Sequence, residues 1–159
     1  MPEADIHTDF GAAAFTPSDL EACLALFDSN VPDYFHVDER PEFRAFLEDL
    51  PGPYLVLRNA DGEVVACGGW AVGENGAADL CWGMVRRDLH GRGWGRRLTR
   101  ARLNGIEAAP GIRAVELRTS QHTDGFYEAF GFRTVDTRPD GFGPGLDCLV
   151  MRRDVEADP

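Results

Sequence analysis

The chain contains no lysine, so its sixteen basic residues are all arginine. That excludes a Walker-type phosphate loop, which requires the lysine of G-x-x-x-x-G-K-[ST]. Basic residues are also outnumbered, sixteen against twenty-seven acids, for a formal net charge of −11 and a pI near 4.7. A nucleic-acid partner calls for a broad basic face, and this balance argues against one. It suits a cationic substrate or a salty cytoplasm. Arginine without lysine points to a GC-rich, bacterial-type genome and carries no mechanism. Cys23, Cys67, Cys81 and Cys148 are far apart, form no C-x-x-C pair and stand in apolar contexts, which reads as buried free thiols rather than disulfides or metal ligands. No metal site is expected. No run approaches the roughly 20 apolar residues of a membrane span, and MPEADIHTDF lacks the basic and apolar regions of a signal peptide. The expectation is a cytoplasmic protein with no membrane partner.

What is present suits a folded domain. With 159 residues and 43% hydrophobic content, the chain can bury a core, so one domain over 1–159 is expected, with loose, acidic ends at 1–9 and 153–159. Residues 10–15 read as a short strand. Thr16-Pro17-Ser18-Asp19 opens a helix with Thr16 or Ser18 as cap, Leu20, Cys23, Leu24 and Phe27 form its apolar stripe, and Asn30-Val31-Pro32 ends it. An aromatic connection, PDYFHV, leads to a second helix over 41–50. There Tyr34 and Phe35 either anchor the core or wall an acceptor pocket, and His36 reads as structural or exposed. Pro51-Gly52-Pro53 breaks the chain. Two β-rich runs, 54–58 and 63–72, flank an Asp-Gly turn and form a hairpin. Gly68-Gly69 in the second marks a bulge or a close backbone approach. A loop at 73–76, carrying Glu74, precedes a strand over 78–86.

The stretch from Asp79 to Arg102 organises the rest. It holds seven of the sixteen arginines (Arg86, Arg87, Arg92, Arg96, Arg97, Arg100 and Arg102) against two acids, Asp79 at its head and Asp88. A helix beginning at Trp94 or Gly95 turns its unpaired N–H groups and the positive end of its dipole towards the preceding turn. Gly91, Gly93 and Gly95 let an anion approach those amides, and Arg92 and Arg96 can add charge-assisted bonds. Trp94, Leu98, Ala101, Gly105 and Ala108 recur at helical spacing as a packing face, which leaves Arg96, Arg97, Arg100 and Arg102 for the other directions. A dinucleotide fingerprint fits poorly, because Arg96 stands where its third glycine belongs. After the stop Ala109-Pro110-Gly111 come a strand over 112–119, which makes a βαβ-like unit, a short helix capped by Thr123 or Asp124, a strand over 132–138, a loop at 140–145 and a last strand over 146–152.

Two blocks resemble the signatures of the GCN5-related N-acetyltransferase (GNAT) superfamily. His90-x-x-Gly93-x-Gly95, after a strand ending in Met84-Val85, is similar to its [QR]-x-x-G-x-[GA] turn, with His90 in place of Gln or Arg. FYEAFGF (residues 126–132) is similar to its F-Y-x-x-x-G-F. The resemblance implies an α/β (α+β) fold, with a mixed central sheet of about six to seven strands, helices on both faces, and two splayed central strands, here those over 78–86 and 112–119. It implies acetyl-CoA as co-substrate. The turn His90, Gly91, Arg92, Gly93, Trp94, Gly95 and Arg96 would hold its pyrophosphate, and the amides of Met84 and Val85 its pantetheine or acetyl carbonyl. Ser120 stands where many members carry an asparagine that bonds the cofactor.

The implied reaction is acetyl transfer to an amine of a small molecule, an amino-acid-like compound or a peptide. Tyr127 matches the tyrosine that often serves as general acid. Asp79 falls where the superfamily's histone acetyltransferases carry a catalytic glutamate. One methylene shorter, it suits a base acting through water, with Glu74 and bulk water as rivals. Tyr34, Phe35 and Glu74 are the acceptor-site candidates, and a homodimer is compatible with the family. The alternative is a module of the same fold that binds an acyl-CoA for regulation or assembly and turns nothing over.

Overall fold

The computed structural model describes residues 11–155. Within them the alternating and helical patterns resolve into strands β1 (Ala12–Ala14), β2 (Tyr54–Arg58), β3 (Val64–Val72), β4 (Ala77–Val85), β5 (Ala114–Thr119), β6 (Arg133–Gly143) and β7 (Leu146–Asp154). The α-helices are α1 (Leu20–Ser29), α2 (Arg40–Glu48), α3 (Trp94–Ala108) and α4 (Asp124–Glu128). The strands form a mixed sheet of seven in the order β1-β2-β3-β4-β5-β7-β6. The chain divides into two compact units, residues 11–71 with 81–108, and residues 72–80 with 109–155, so that β4 contributes to each.

In the first unit β1, β2 and β3 pair antiparallel, Ala13 opposite Val56 and Val56 opposite Cys67. Because strand side chains alternate, Val56 and Cys67 face α1 and α2 in one apolar cluster with Cys23, Leu24, Phe27, Phe43, Leu47, Tyr54 and Met84. Leu57 and Ala66 face Leu98 and Ala101 of α3 in another. Helices therefore cover both faces here. Phe27 and Phe43 are fully buried, each contributing about 1.5–3 kcal/mol of apolar burial. Their rings surround Trp82, whose centroid is 4.9 Å from that of Phe43 and 6.4 Å from that of Phe27. The helix entry holds a cap. Thr16 N–H donates to Asp19 Oδ2 at 2.9 Å, across a single 3-10 turn over Pro17–Asp19, and the buried Asp19 carboxylate is paired with Arg58.

In the second unit the start of β4 runs parallel to β5, Ala77 opposite Ala114 and Asp79 opposite Glu116, as a strand–helix–strand connection requires. β5 pairs antiparallel with β7, Leu117 opposite Met151, and β7 with β6.

Several sequence readings need correction. The loop expected over 140–145 is mostly strand. β6 continues to Gly143, with a register shift between Arg138 and Gly143 that accommodates Pro139 and the positive φ of Asp140. Gly68 and Gly69 are regularly paired with Leu55 and Tyr54, and the irregularity of that hairpin lies at Leu57/Arg58. Close approach is the reason for the glycines, since a Cβ at Gly69 would lie 2.1 Å from the Pro53 carbonyl oxygen. Arg102, assigned to an outward direction, is 1% exposed. Of the four cysteines, Cys81 is only half-buried. Phe10 and the expected loose ends at 1–9 and 156–159 lie outside the described residues, while 153 and 154 belong to β7. No helix of the described residues is long and apolar enough to cross a membrane, and none of their His, Cys, Asp and Glu side chains form a group of three placed to hold a metal.

Candidate functional site

β4 ends in a 3-10 turn, Arg87–Leu89, followed by the glycine turn and α3. Gly91 and Gly93 adopt φ of +78° and +92°, a region that side-chain-bearing residues rarely occupy, and a Cβ on either would meet nothing within 4 Å. The glycines are thus demanded by backbone direction, and the space above them is open. Arg97 N–H donates to Gly93 O at 3.1 Å as α3 begins, which leaves the amides before it without intrahelical acceptors. Arg92 and Arg96 are exposed. Arg97 lies over the half-buried Trp94 ring at 4.4 Å. Anion-seeking amides, open space and two exposed guanidinium groups fit a phosphate-bearing ligand such as coenzyme A.

A residue the sequence reading passed over holds this turn in place. Asn30, read only as a helix stop, is 1% exposed, and its Nδ2 donates to Leu26 O and to Val85 O, each at 2.9 Å. The same Val85 carbonyl lies 2.9 Å from His90 Nε2, so His90 supports the turn from inside. Ser29 Oγ accepts from Arg87 N–H at 3.1 Å. The Tyr34 ring stands edge-on to His90, centroids 5.0 Å apart, and carries Arg87 over its face, while Arg87 pairs with Asp33 at 2.8 Å. Structure thus brings Tyr34, Val85 and His90 together. Phe35 parts from Tyr34: its ring stacks on Phe27 at 5.0 Å within the core, whereas Tyr34 is 37% exposed. His36 is exposed and accepts from Asp38 N–H.

Strand β4 itself is irregular. Trp82 has φ of +45°, which a bulky side chain disfavours. Tyr54 Oη donates to the Trp82 carbonyl at 2.7 Å and lies 3.2 Å from Cys67 Sγ. Burial pushes the Tyr54 hydroxyl well above the usual phenol range, so it stays a donor.

The other predicted residues belong to the second unit. Asp79 is half-exposed in β4. Burial, aided by Glu116, raises its carboxyl above the ordinary aspartate value, against the opposing Arg118 guanidinium at 3.8 Å. Glu116 is itself paired with Arg152 at 2.6 Å. Glu74 is exposed in the β3–β4 loop. Ser120 Oγ accepts from His122 N–H at 3.2 Å. Tyr127 is half-buried on α4 between Phe126 and Phe132, centroids 5.0 and 5.9 Å away.

The sequence model of the acetyltransferase (GNAT) domain matches residues 51–134, which takes in the β2–β3 hairpin, β4, the glycine turn, α3, β5 and α4. The chain belongs to the GNAT acetyltransferase family. No curated protein matches this GNAT chain significantly in sequence. Solved structures do match in fold. The ribosomal-protein-S18-alanine N-acetyltransferase of Escherichia coli aligns with a TM-score of 0.78 at 17% identity, over 93% of this chain and 95% of that one. An aminoglycoside 6'-N-acetyltransferase complexed with coenzyme A gives 0.76 at 16%, over 93% and 98%. A GCN5-related N-acetyltransferase from Kribbella flavida gives 0.74 at 21%, over 90% and 96%. Seven mixed strands with four α-helices therefore form a GNAT fold.

Proposed function

We propose that this GNAT protein is an acetyl-CoA-dependent N-acetyltransferase whose acceptor is a primary amine of a small molecule, an amino-acid-like compound or a peptide. The observation that carries the proposal is the glycine turn, with positive φ at Gly91 and Gly93, open space above both, and α3 starting at once behind them. Its amides, with Arg92 and Arg96, would hold the pyrophosphate. The amides of Met84 and Val85 would hold the pantetheine or the acetyl carbonyl; the Val85 carbonyl is already engaged by Asn30 and His90. When bound, acetyl-CoA supplies an activated acyl group as its thioester.

The chain's own residues handle protons. An ammonium must be deprotonated to become a nucleophile, and Asp79, whose basicity is raised by burial, would accept that proton directly or through water. Tyr127 would give its hydroxyl proton to the departing sulfur. Over the cycle one proton reaches solvent and one stays on the thiol. Tyr34 and Glu74, both exposed, would contact the acceptor.

Thermal unfolding with acetyl-CoA, coenzyme A and NADH tests the reading. Ligand at ~100 times its dissociation constant adds about 2.7 kcal/mol, which at about 2–4 °C per kcal/mol raises Tm by several degrees. A rise with either coenzyme A species and none with NADH is expected. No rise with either would make the turn a structural feature and end the proposal.

A further inference from the structure

The strained Trp82 and the buried Arg102 share one place in the first unit. φ of +45° at Trp82 is costly for a bulky aromatic, and such a conformation persists only where its surroundings hold it. Two side chains do so. From the α1/α2 side, the buried Tyr54 donates its hydroxyl proton to the Trp82 carbonyl at 2.7 Å. From the α3 side, the Arg102 guanidinium lies flat over the neighbouring Gly83. A Cβ there would come within 2.7 Å of Nη2, 2.9 Å of Nη1 and 3.0 Å of Cζ, and a Cβ at Gly68 within 3.3 Å of the same Cζ. Two glycines on adjacent strands thus open a slot that this side chain fills.

Arg102 is a poor choice for stability. It is 1% exposed, its Nε has no hydrogen-bond partner, and Nη1 reaches the Gly69 carbonyl only at 3.5 Å. An apolar side chain of similar length would remove the desolvation penalty of a buried cation and its unsatisfied donor. Its position against Gly83 is what distinguishes it.

We propose that Tyr54 and Arg102 are positioning residues that grip the Trp82–Gly83 peptide from its two sides and so fix the direction of the Met84 and Val85 amides that follow. The purpose assigned to this grip, presenting those amides to a thioester, rests on the acetyltransferase reading above. Neither side chain is assigned contact with substrate.

The test compares the full chain with Tyr54→Phe and Arg102→Met. Phenylalanine keeps the ring in the core and removes only the hydroxyl; methionine keeps the stem and removes charge and donors. Backbone 15N order parameters of Gly83, Met84 and Val85, about 0.85 for rigid backbone, should fall towards 0.6 in both variants, while those of Val56 and Cys67 stay unchanged. Arg102→Met should melt no lower than the parent. Release of coenzyme A from acetyl-CoA, measured with a panel of primary amines, should show kcat reduced tenfold or more, with acetyl-CoA affinity within threefold of the parent. Unchanged order parameters at 83–85 would overturn the grip. Loosened amides with unchanged kcat would overturn its catalytic purpose. A parent chain that does not bind acetyl-CoA would instead overturn the acetyltransferase reading, and the order parameters would still decide whether the two side chains hold the strand.

Discussion

Replacing Asn30 by leucine keeps the volume of a 1% exposed side chain and deletes its two short hydrogen bonds, to Leu26 O and Val85 O at 2.9 Å each, together with a long one to Ser29 Oγ at 3.4 Å. At a net value of about 1 kcal/mol per short bond, the loss is about 2 kcal/mol, or roughly 4–8 °C in Tm for a chain of this size. Each acceptor keeps a second donor: Leu26 O, in the last turn of α1, keeps the Ser29 hydroxyl at 2.8 Å, and Val85 O keeps the His90 imidazole at 2.9 Å. Because Asn30 and His90 serve one carbonyl, their removal should not be additive. A double-mutant cycle of Asn30→Leu with His90→Phe, followed by urea unfolding, should return a coupling of about 0.5–3 kcal/mol, since the double variant strips Val85 O of both. Calorimetry adds the functional half: the junction of β4 with the glycine turn loses its anchor, so coenzyme A affinity should fall more in the double variant than the single variants together predict. Additivity of the unfolding energies within about 0.3–0.5 kcal/mol would refute the shared carbonyl. A Tm change below 1 °C for Asn30→Leu would refute the buried hub altogether.

Three further outcomes are expected. At Gly93 any side chain is strained by φ of +92°, so Gly93→Ala and Gly93→Glu should lose similar stability, about 1–3 kcal/mol, while only the glutamate abolishes coenzyme A binding by calorimetry. Equal affinity for both variants would remove the pyrophosphate assignment. Tyr127→Phe should lower kcat tenfold or more and leave acetyl-CoA affinity in place, and unaltered turnover would return Tyr127 to packing against Phe126 and Phe132. For Asp79 the sign follows from a folded pKa raised by burial. The folded state holds the proton longer, so stability is lost as pH rises from the usual carboxylate range through the folded value. Asp79→Asn lacks that loss, so its Tm advantage over the parent should appear across that window and persist at neutral pH, while kcat/KM falls. A Tm difference that is flat with pH would count against the raised pKa.

Much of the scaffold was legible because it rests on local chemistry. The cap at Thr16, the Asp-Gly hairpin, the start of α3 at Trp94 and the positive-φ glycines all follow from residues within a few positions of each other. The extent of β6 was not legible, because Asp140-Gly-Phe-Gly carries turn residues that only pairing with β7 holds extended. The loop 32–37 could be read two ways, and packing divided it, sending Phe35 into the core and Tyr34 outward against His90 and Arg87.

By itself the sequence determined the family and the glycine turn ahead of α3, and it singled out Asp79 and Tyr127 as candidates, since motif spacing and backbone preference are properties of neighbouring residues. Only the tertiary structure decided which polar side chains are spent inside. Asn30 and Val85 are 55 positions apart, and Tyr54 and Trp82 are 28 apart. Arg102 sits on a helix whose periodicity places it at the margin of the apolar stripe. It is buried because Gly68 and Gly83, distant in sequence from it and from each other, both lack the Cβ that would have closed the slot.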